Sequence, residues 1–184
     1  MELETERLIL RNWKETDIDD LIEGVNDIEV SKWLAFIPYP YTKKNAEDWI
    51  NFCINNKEER YDFALELKEE QKVIGGTSIE RINKVNGTAG GGIWIHAKYH
   101  GKGYGTEAWG KRIEFAFNDL KLRRLDNGFF DGNIESFNMQ TKFGYKIEGL
   151  KRQAYLCMAD NQYKDECITG LLKEEWINYN NKGK

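Results

Sequence analysis

The segment His100-Gly101-Lys102-Gly103-Tyr104-Gly105-Thr106 constrains this chain more than any other seven residues. The apolar run Ile93-Trp94-Ile95 before it has strand character, and Ala108, Ile113, Ala116 and Phe117 give helical spacing from Thr106 to Asn118. A loop that runs from a strand into a helix gathers several backbone N–H groups around one anion, and the positive end of the helix dipole adds to the attraction. Glycine at alternate positions lets the backbone approach phosphate oxygens and adopt positive φ. Lys102 adds a point charge suited to phosphate. The segment therefore reads as a cradle for a nucleotide pyrophosphate.

Two other phosphate loops fit less well. A Walker A loop needs Gly-Lys followed by Ser or Thr, and no Gly-Lys here is so followed. Gly103-x-Gly105-x-x-Ala108, with Asp126 downstream, matches a dinucleotide fingerprint in outline. That fingerprint opens a parallel sheet, whereas the residues before this loop predict antiparallel strands, and about eighty residues remain after it.

The predicted elements run as follows. Leu8-Ile9-Leu10 forms a first strand, and helical spacing covers Ile18, Leu21, Ile22 and Val25, then Ile28 to Leu34. Pro38 and Pro40 end that region, and Thr42 caps a helix carrying Ala46, Trp49, Ile50, Cys53 and Ile54. Phe63, Leu65 and Leu67 alternate with Ala64 and Glu66 as a half-buried strand. After Glu69-Glu70-Gln71 a strand runs from Val73-Ile74 to Ile82. Asn86-Gly87 signals a hairpin, and Gly90-Gly91-Gly92 leads into Ile93, giving three antiparallel strands over residues 61–97. Beyond the loop and its helix come a strand at Leu125–Phe129, a helix from Asn133 to Phe143, two strands around Asp160-Asn161-Gln162, and a closing helix Leu171–Tyr179. The pattern is a mixed α/β fold in one domain, residues 1–184.

Composition excludes several classes. With 40% hydrophobic and 13% aromatic residues the chain can build a globular core. A formal charge of −4 argues against a nucleic-acid partner. Cys53, Cys157 and Cys167 are odd in number and widely spaced, which argues against disulfides and thiolate zinc and suits a reducing compartment. The two histidines, His96 and His100, make a His-based metal site improbable, so no metal is expected. The acidic start and the lack of a long apolar run predict a cytoplasmic chain with no membrane partner.

At the loop the chain resembles the GNAT acetyltransferases, whose pattern is Gln/Arg-x-x-Gly-x-Gly/Ala. His100 stands where Gln or Arg is usual, and Gly103 and Gly105 match. Three further stretches resemble the RimJ/RimL branch, which acetylates N-terminal amines of ribosomal proteins and some small amines: Leu3 to Arg11, Asn133-x-x-Ser136 with Lys142-x-Gly144-Tyr145, and Leu171-Leu172 to Glu175-Trp176. The resemblance implies a GNAT fold, with a central, mostly antiparallel seven-stranded sheet splayed between its fourth and fifth strands and flanked by helices. It implies acetyl-CoA as co-substrate, an amine acceptor and a monomer or homodimer. The pantetheine arm would pair with backbone near Ile95, His96 and Ala97, and an N–H close to Ile95 would polarise the thioester. The pyrophosphate would rest on Gly101, Lys102, Gly103, Tyr104, Gly105 and Thr106. Asn133 and Ser136 match positions that contact the cofactor or its thiol, and N-capping by Asn133 explains that residue equally well.

Two proton-transfer residues of the family are absent. The Tyr expected seven residues after Asn133 is Gln140, and a Glu expected before the fourth strand is Gly90. Ser136, as donor to the departing sulfur, and Glu80, as base, remain as catalytic candidates, with a solvent-facing carboxylate as the plainer role for Glu80. A site without a strong base favours a protein or peptide N-terminal α-amine. At pH 7.5 an α-amine of pKa about 8 is roughly a quarter neutral, against about 0.1% for a lysine side chain. A polyamine, amino sugar or drug-like amine is the alternative acceptor, and a coenzyme A-binding regulator without turnover is the alternative of another class.

Overall fold

The computed structural model describes residues 1–56 and 60–182. A short strand β1 (Glu2–Glu4) pairs with β2 (Leu8–Asn12), and a single 3-10 turn leads into α1 (Ile18–Val25). The one-turn α2 (Ile28–Ser31) and the longer α3 (Lys43–Asn55) follow. Thr42 caps α3: the Asn45 N–H donates to its hydroxyl at 3.3 Å, and the Thr42 N–H donates to Asn45 Oδ1 at 2.9 Å. Next come β3 (Tyr61–Leu67), β4 (Lys72–Asn83), β5 (Thr88–Gly90) and β6 (Ile93–Ile95), then α4 (Tyr104–Asn118). The chain closes with β7 (Arg124–Phe130), α5 (Ile134–Thr141), β8 (Lys146–Cys157), β9 (Gln162–Leu172) and α6 (Lys173–Lys182).

The strands form one sheet in the order β1-β2-β3-β4-β5-β7-β9-β8, with β6 also pairing β4. Every pairing is antiparallel except β5 with β7. Among the described residues the sheet has nine strands rather than seven, for two local reasons. β1 adds to the edge, and the expected fourth strand breaks at Gly90–Gly92 into β5 and β6. The break is what opens the sheet. β5 pairs β7 at only two positions, Thr88 with Arg124 and Ala89 with Leu125, whereas β6 pairs β4 alone. A gap therefore lies between β6 and the outer half of β7.

Helices cover both faces. α4 packs Ala108, Trp109, Ile113 and Phe117 against Leu8, Leu10, Phe63 and Leu65. On the other face Leu21, Val25, Ala46 and Ile50 pack with Trp13, Ala64 and Val73. β3 is thus buried on both faces, Ala64 included, and the half-buried reading of its alternation is corrected: small Ala64 lies under α1 and α3. Leu171 and Leu172 belong to β9, where they pair Leu125 and Arg124, so the last helix begins at Lys173. Among the described residues no helix is long and apolar enough to cross a membrane.

Candidate active site

The glycine loop lies between β6 and α4, as its flanking residues require. Gly101 and Gly103 have φ of 72° and 83°, a region that costs a side chain about 1–2 kcal/mol. Gly103 is the N-cap of α4, which opens at Tyr104, two residues earlier than the helical spacing suggested. The first helical bond runs from the Glu107 N–H to the Gly103 carbonyl at 3.0 Å, which leaves the amides of Tyr104, Gly105 and Thr106 without a helical acceptor. Among the described residues, adjacent ones apart, no atom lies within 4 Å of where a Gly101 side chain would begin, so the loop is open on that side. Gly105 faces Ile95 and Met139 at ordinary contact distance. Unpaired amides, positive φ and open space fit a pyrophosphate.

An ion pair from the far end of the sequence holds this loop. Arg7 donates to Glu107 through Nε at 2.7 Å and through its backbone N–H at 2.8 Å, and its Nη1 donates to the Lys102 carbonyl at 3.0 Å. The Thr5 hydroxyl also donates to Glu107, and the Arg7 guanidinium lies 4.4 Å from the Tyr104 ring centre. Lys102 is exposed, with its ammonium 5.3 Å from the Tyr99 ring centre. Sequence reasoning included Arg7 only within the resembling stretch from Leu3 to Arg11 and missed Glu107. The acidic residue in the first turn of α4 was the available signal.

The gap has backbone donors on its β6 side. The Gly92 carbonyl accepts from Ser78 N–H, and His96 N–H donates to the Ile74 carbonyl, so the even-numbered peptide groups face β4. By strand alternation the amides of Ile93 and Ile95 point the other way, into the gap. The Ile95 carbonyl accepts from His100 Nε2 at 2.7 Å, which requires the proton on that nitrogen. The Ala97 carbonyl accepts the His100 N–H at 3.0 Å, so Ala97 opens a tight turn after β6 rather than extending the strand. His96 turns elsewhere: its Nδ1 accepts the Lys98 N–H and its Nε2 lies 3.4 Å from Glu23.

Opposite β6, Asn133 caps α5 by accepting the Ser136 N–H at 3.0 Å. Gln140, in the place of the family Tyr, is buried and donates through Nε2 to Ser136 Oγ at 3.2 Å. The Thr169 hydroxyl donates to Gln140 Oε1 at 2.5 Å, which fixes the direction of the amide. Ser136 thus accepts one hydrogen bond and keeps its own O–H proton to give. Glu80 lies at the other end of β4, opposite Gly90 in register, with its carboxylate held by Arg60 at 3.0 Å and by Arg81. It lines a cleft with Phe52, Arg60 and Leu122 rather than the gap beside Ile93. A side chain at Gly90 would begin 2.6 Å from the Asp126 carbonyl oxygen, which explains why no Glu stands there. Among the described residues no three His, Cys, Asp or Glu side chains are grouped to hold a metal.

Residues 7–146 match the family model described as an acetyltransferase (GNAT) domain. The chain belongs to the GNAT acetyltransferase family. It is 30% identical over 176 residues to the uncharacterized N-acetyltransferase p20 of Bacillus licheniformis, covering 95% of this chain and 97% of that one. Among solved structures it superposes on the ribosomal-protein-S5-alanine acetyltransferase of Vibrio fischeri with a TM-score of 0.76 and 19% identity, covering 96% and 98% of the two chains. It also superposes on the spermidine N-acetyltransferase of Vibrio cholerae in complex with CoA and spermine, with a TM-score of 0.80 and 19% identity over 95% and 100%. Membership makes this GNAT chain an N-acetyltransferase, and the alternative of a binding regulator without turnover falls.

Proposed function

We propose that the 184 residues act as one cytoplasmic domain that moves an acetyl group from acetyl-CoA to the α-amine of a protein or peptide N-terminus. The cradle from Gly101 to Thr106 would take the pyrophosphate, and the amides of Ile93 and Ile95 would face the arm and its thioester. The neutral amine attacks the thioester carbonyl, the C–S bond breaks, and the ammonium proton passes through water to replace the one Ser136 gives to sulfur. The observation that carries the acceptor choice is that the candidate bases are committed elsewhere. Glu80, the candidate base, is bound to two arginines, and His96 to Lys98 and Glu23. Freeing a lysine proton at pH 7.5 costs about 4 kcal/mol, against under about 1 for an α-amine, so a site of this kind favours the latter. The structural likeness to a ribosomal-protein-S5-alanine acetyltransferase supports the same reading, and the likeness to a spermidine acetyltransferase favours a polyamine as second acceptor.

Thiol release from acetyl-CoA, measured with short peptides, an N-blocked lysine and spermidine, tests the choice. We expect kcat/KM for the peptide α-amines to exceed that for the lysine by at least about tenfold. We also expect log(kcat/KM) to rise with unit slope to about pH 8 and then level off. A faster rate on the lysine or on spermidine would overturn the α-amine reading.

A further inference from the structure

The three carbonyls of Gly90, Gly91 and Gly92 are each held by a different side chain. Arg112, from α4, donates through Nη2 to the Gly90 carbonyl at 2.8 Å and through Nε to the Ser78 carbonyl at 2.6 Å. Asn127, from β7, donates through Nδ2 to the Gly91 carbonyl, while its Oδ1 accepts from the Tyr145 hydroxyl at 3.0 Å. Thr77, from β4, donates its hydroxyl to the Gly92 carbonyl at 2.9 Å, beside the Ser78 N–H at 3.0 Å.

All three side chains are buried, and Arg112 is wholly so; among the described residues no carboxylate binds it and its Nη1 has no hydrogen-bond partner. A guanidinium in that position is costly unless its hydrogen bonds are used. Two of its donors are spent on the backbone at Ser78 of β4 and at Gly90, where β5 ends.

The consequence is geometric. A trans peptide points its N–H opposite its C=O. With the Gly92 carbonyl held on β4 by two donors, the Ile93 N–H of the same peptide is aimed into the gap. Two bonds accepted at the carbonyl also polarise that N–H.

We propose that Thr77, Arg112 and Asn127 are positioning residues for acetyl transfer, clamping the Gly90–Gly92 carbonyls so that the Ile93 N–H donates to the thioester oxygen. This rests on the reading that acetyl-CoA lies in the gap, and it assigns the donor to Ile93, two residues before Ile95.

The test is the infrared carbonyl stretch of bound acetyl-CoA labelled with carbon-13 at the thioester, read with kcat and with acetyl-CoA affinity. Thr77→Val removes the hydroxyl without changing the shape of the side chain, and Thr77→Ser restores it. In the wild type the bound carbonyl stretch falls relative to free acetyl-CoA. Thr77→Val is expected to lose at least about half of that fall and about tenfold in kcat, with affinity within about threefold. Thr77→Ser recovers both. Asn127→Leu, read in the same way, gives the same pattern from the β7 side, and its far-UV spectrum and melting point report its fold. An unchanged stretch and kcat in both Thr77→Val and Asn127→Leu would overturn the proposal. A wild type that binds acetyl-CoA with no fall in the stretch would overturn it too. A wild type that binds no acetyl-CoA would instead overturn the cofactor reading beneath it.

Discussion

At neutral pH the Glu107 carboxylate accepts from the Thr5 hydroxyl, the Arg7 amide and the Arg7 guanidinium. Burial raises its pKa, but these three partners outweigh burial and hold it below the usual carboxylate range. Its stabilising contribution is therefore complete above the unfolded value of about 4.3 and is lost as pH falls through the lower folded value. Glu107→Gln should cost about 2 kcal/mol at pH 7, the scale of hydrogen bonds to a charged group. The difference should shrink as the pH falls below the unfolded value of about 4.3, which urea unfolding of the two proteins at pH 7 and in acid would show. The same variant loosens the cradle, so its acetyl-CoA affinity should fall as well. A second residue-level expectation concerns the thiols. Burial pushes the Cys53 thiol well above its ordinary value, and burial with Asp131 beside it does the same for Cys167. At pH 7.5 iodoacetamide should modify both slowly and leave acetyl transfer intact, because the thiolate is the reactive form.

Among the elements, α4 and the β5–β6 break divide the work. α4 presents its first-turn amides at one end and Arg112 in its middle, so one helix would support both the proposed anion cradle and the proposed carbonyl clamp. Gly103 and Gly91 show how differently two glycines respond to substitution. At Gly103 the nearest neighbour of an added Cβ is the Arg7 guanidinium at 3.4 Å, so the fold has room. Gly103→Val should fold, with an unchanged far-UV spectrum, yet lose at least about tenfold in acetyl-CoA affinity, because a branched residue resists φ of 83°. At Gly91, with φ of 136°, an added Cβ would overlap the Ser78 carbonyl oxygen and lie 2.8 Å from Arg112 Nη2. Gly91→Ala should therefore lower stability by at least about 2 kcal/mol, read as a fall in melting temperature, as well as disturb the gap.

For the molecule as a whole, the two halves of the sheet meet through only two β5–β7 register positions, and an arm lying in the gap would bridge them. Acetyl-CoA at about one hundred times its Kd should add about 2.7 kcal/mol of stability, which raises the melting temperature of a chain of this size by about 5–10 °C. ADP at the same concentration carries a pyrophosphate without the arm and should raise it less. The order of strands and helices was legible in the sequence because period, capping and turn chemistry are local. Thr42 capped its helix as expected, and Leu8 to Leu10 formed a strand. The sequence by itself also determined that a glycine-rich loop joins a strand to a helix at residues 100–106, because the change of period on either side is local. Tertiary structure decided the rest of the site. The bonds from Thr5 to Glu107, Arg112 to Gly90 and Asn127 to Gly91 span 102, 22 and 36 residues, and no local pattern signals them. Gln140 looked like a missing acid until Thr169 and Ser136 were brought to either side of its amide. Glu80 looked available as a base until the fold brought Arg60, 20 residues away in sequence, to its carboxylate. Whether a polar side chain is free to react depends on what the fold brings within about 3 Å of it, and that is set by register and packing rather than by neighbours along the chain.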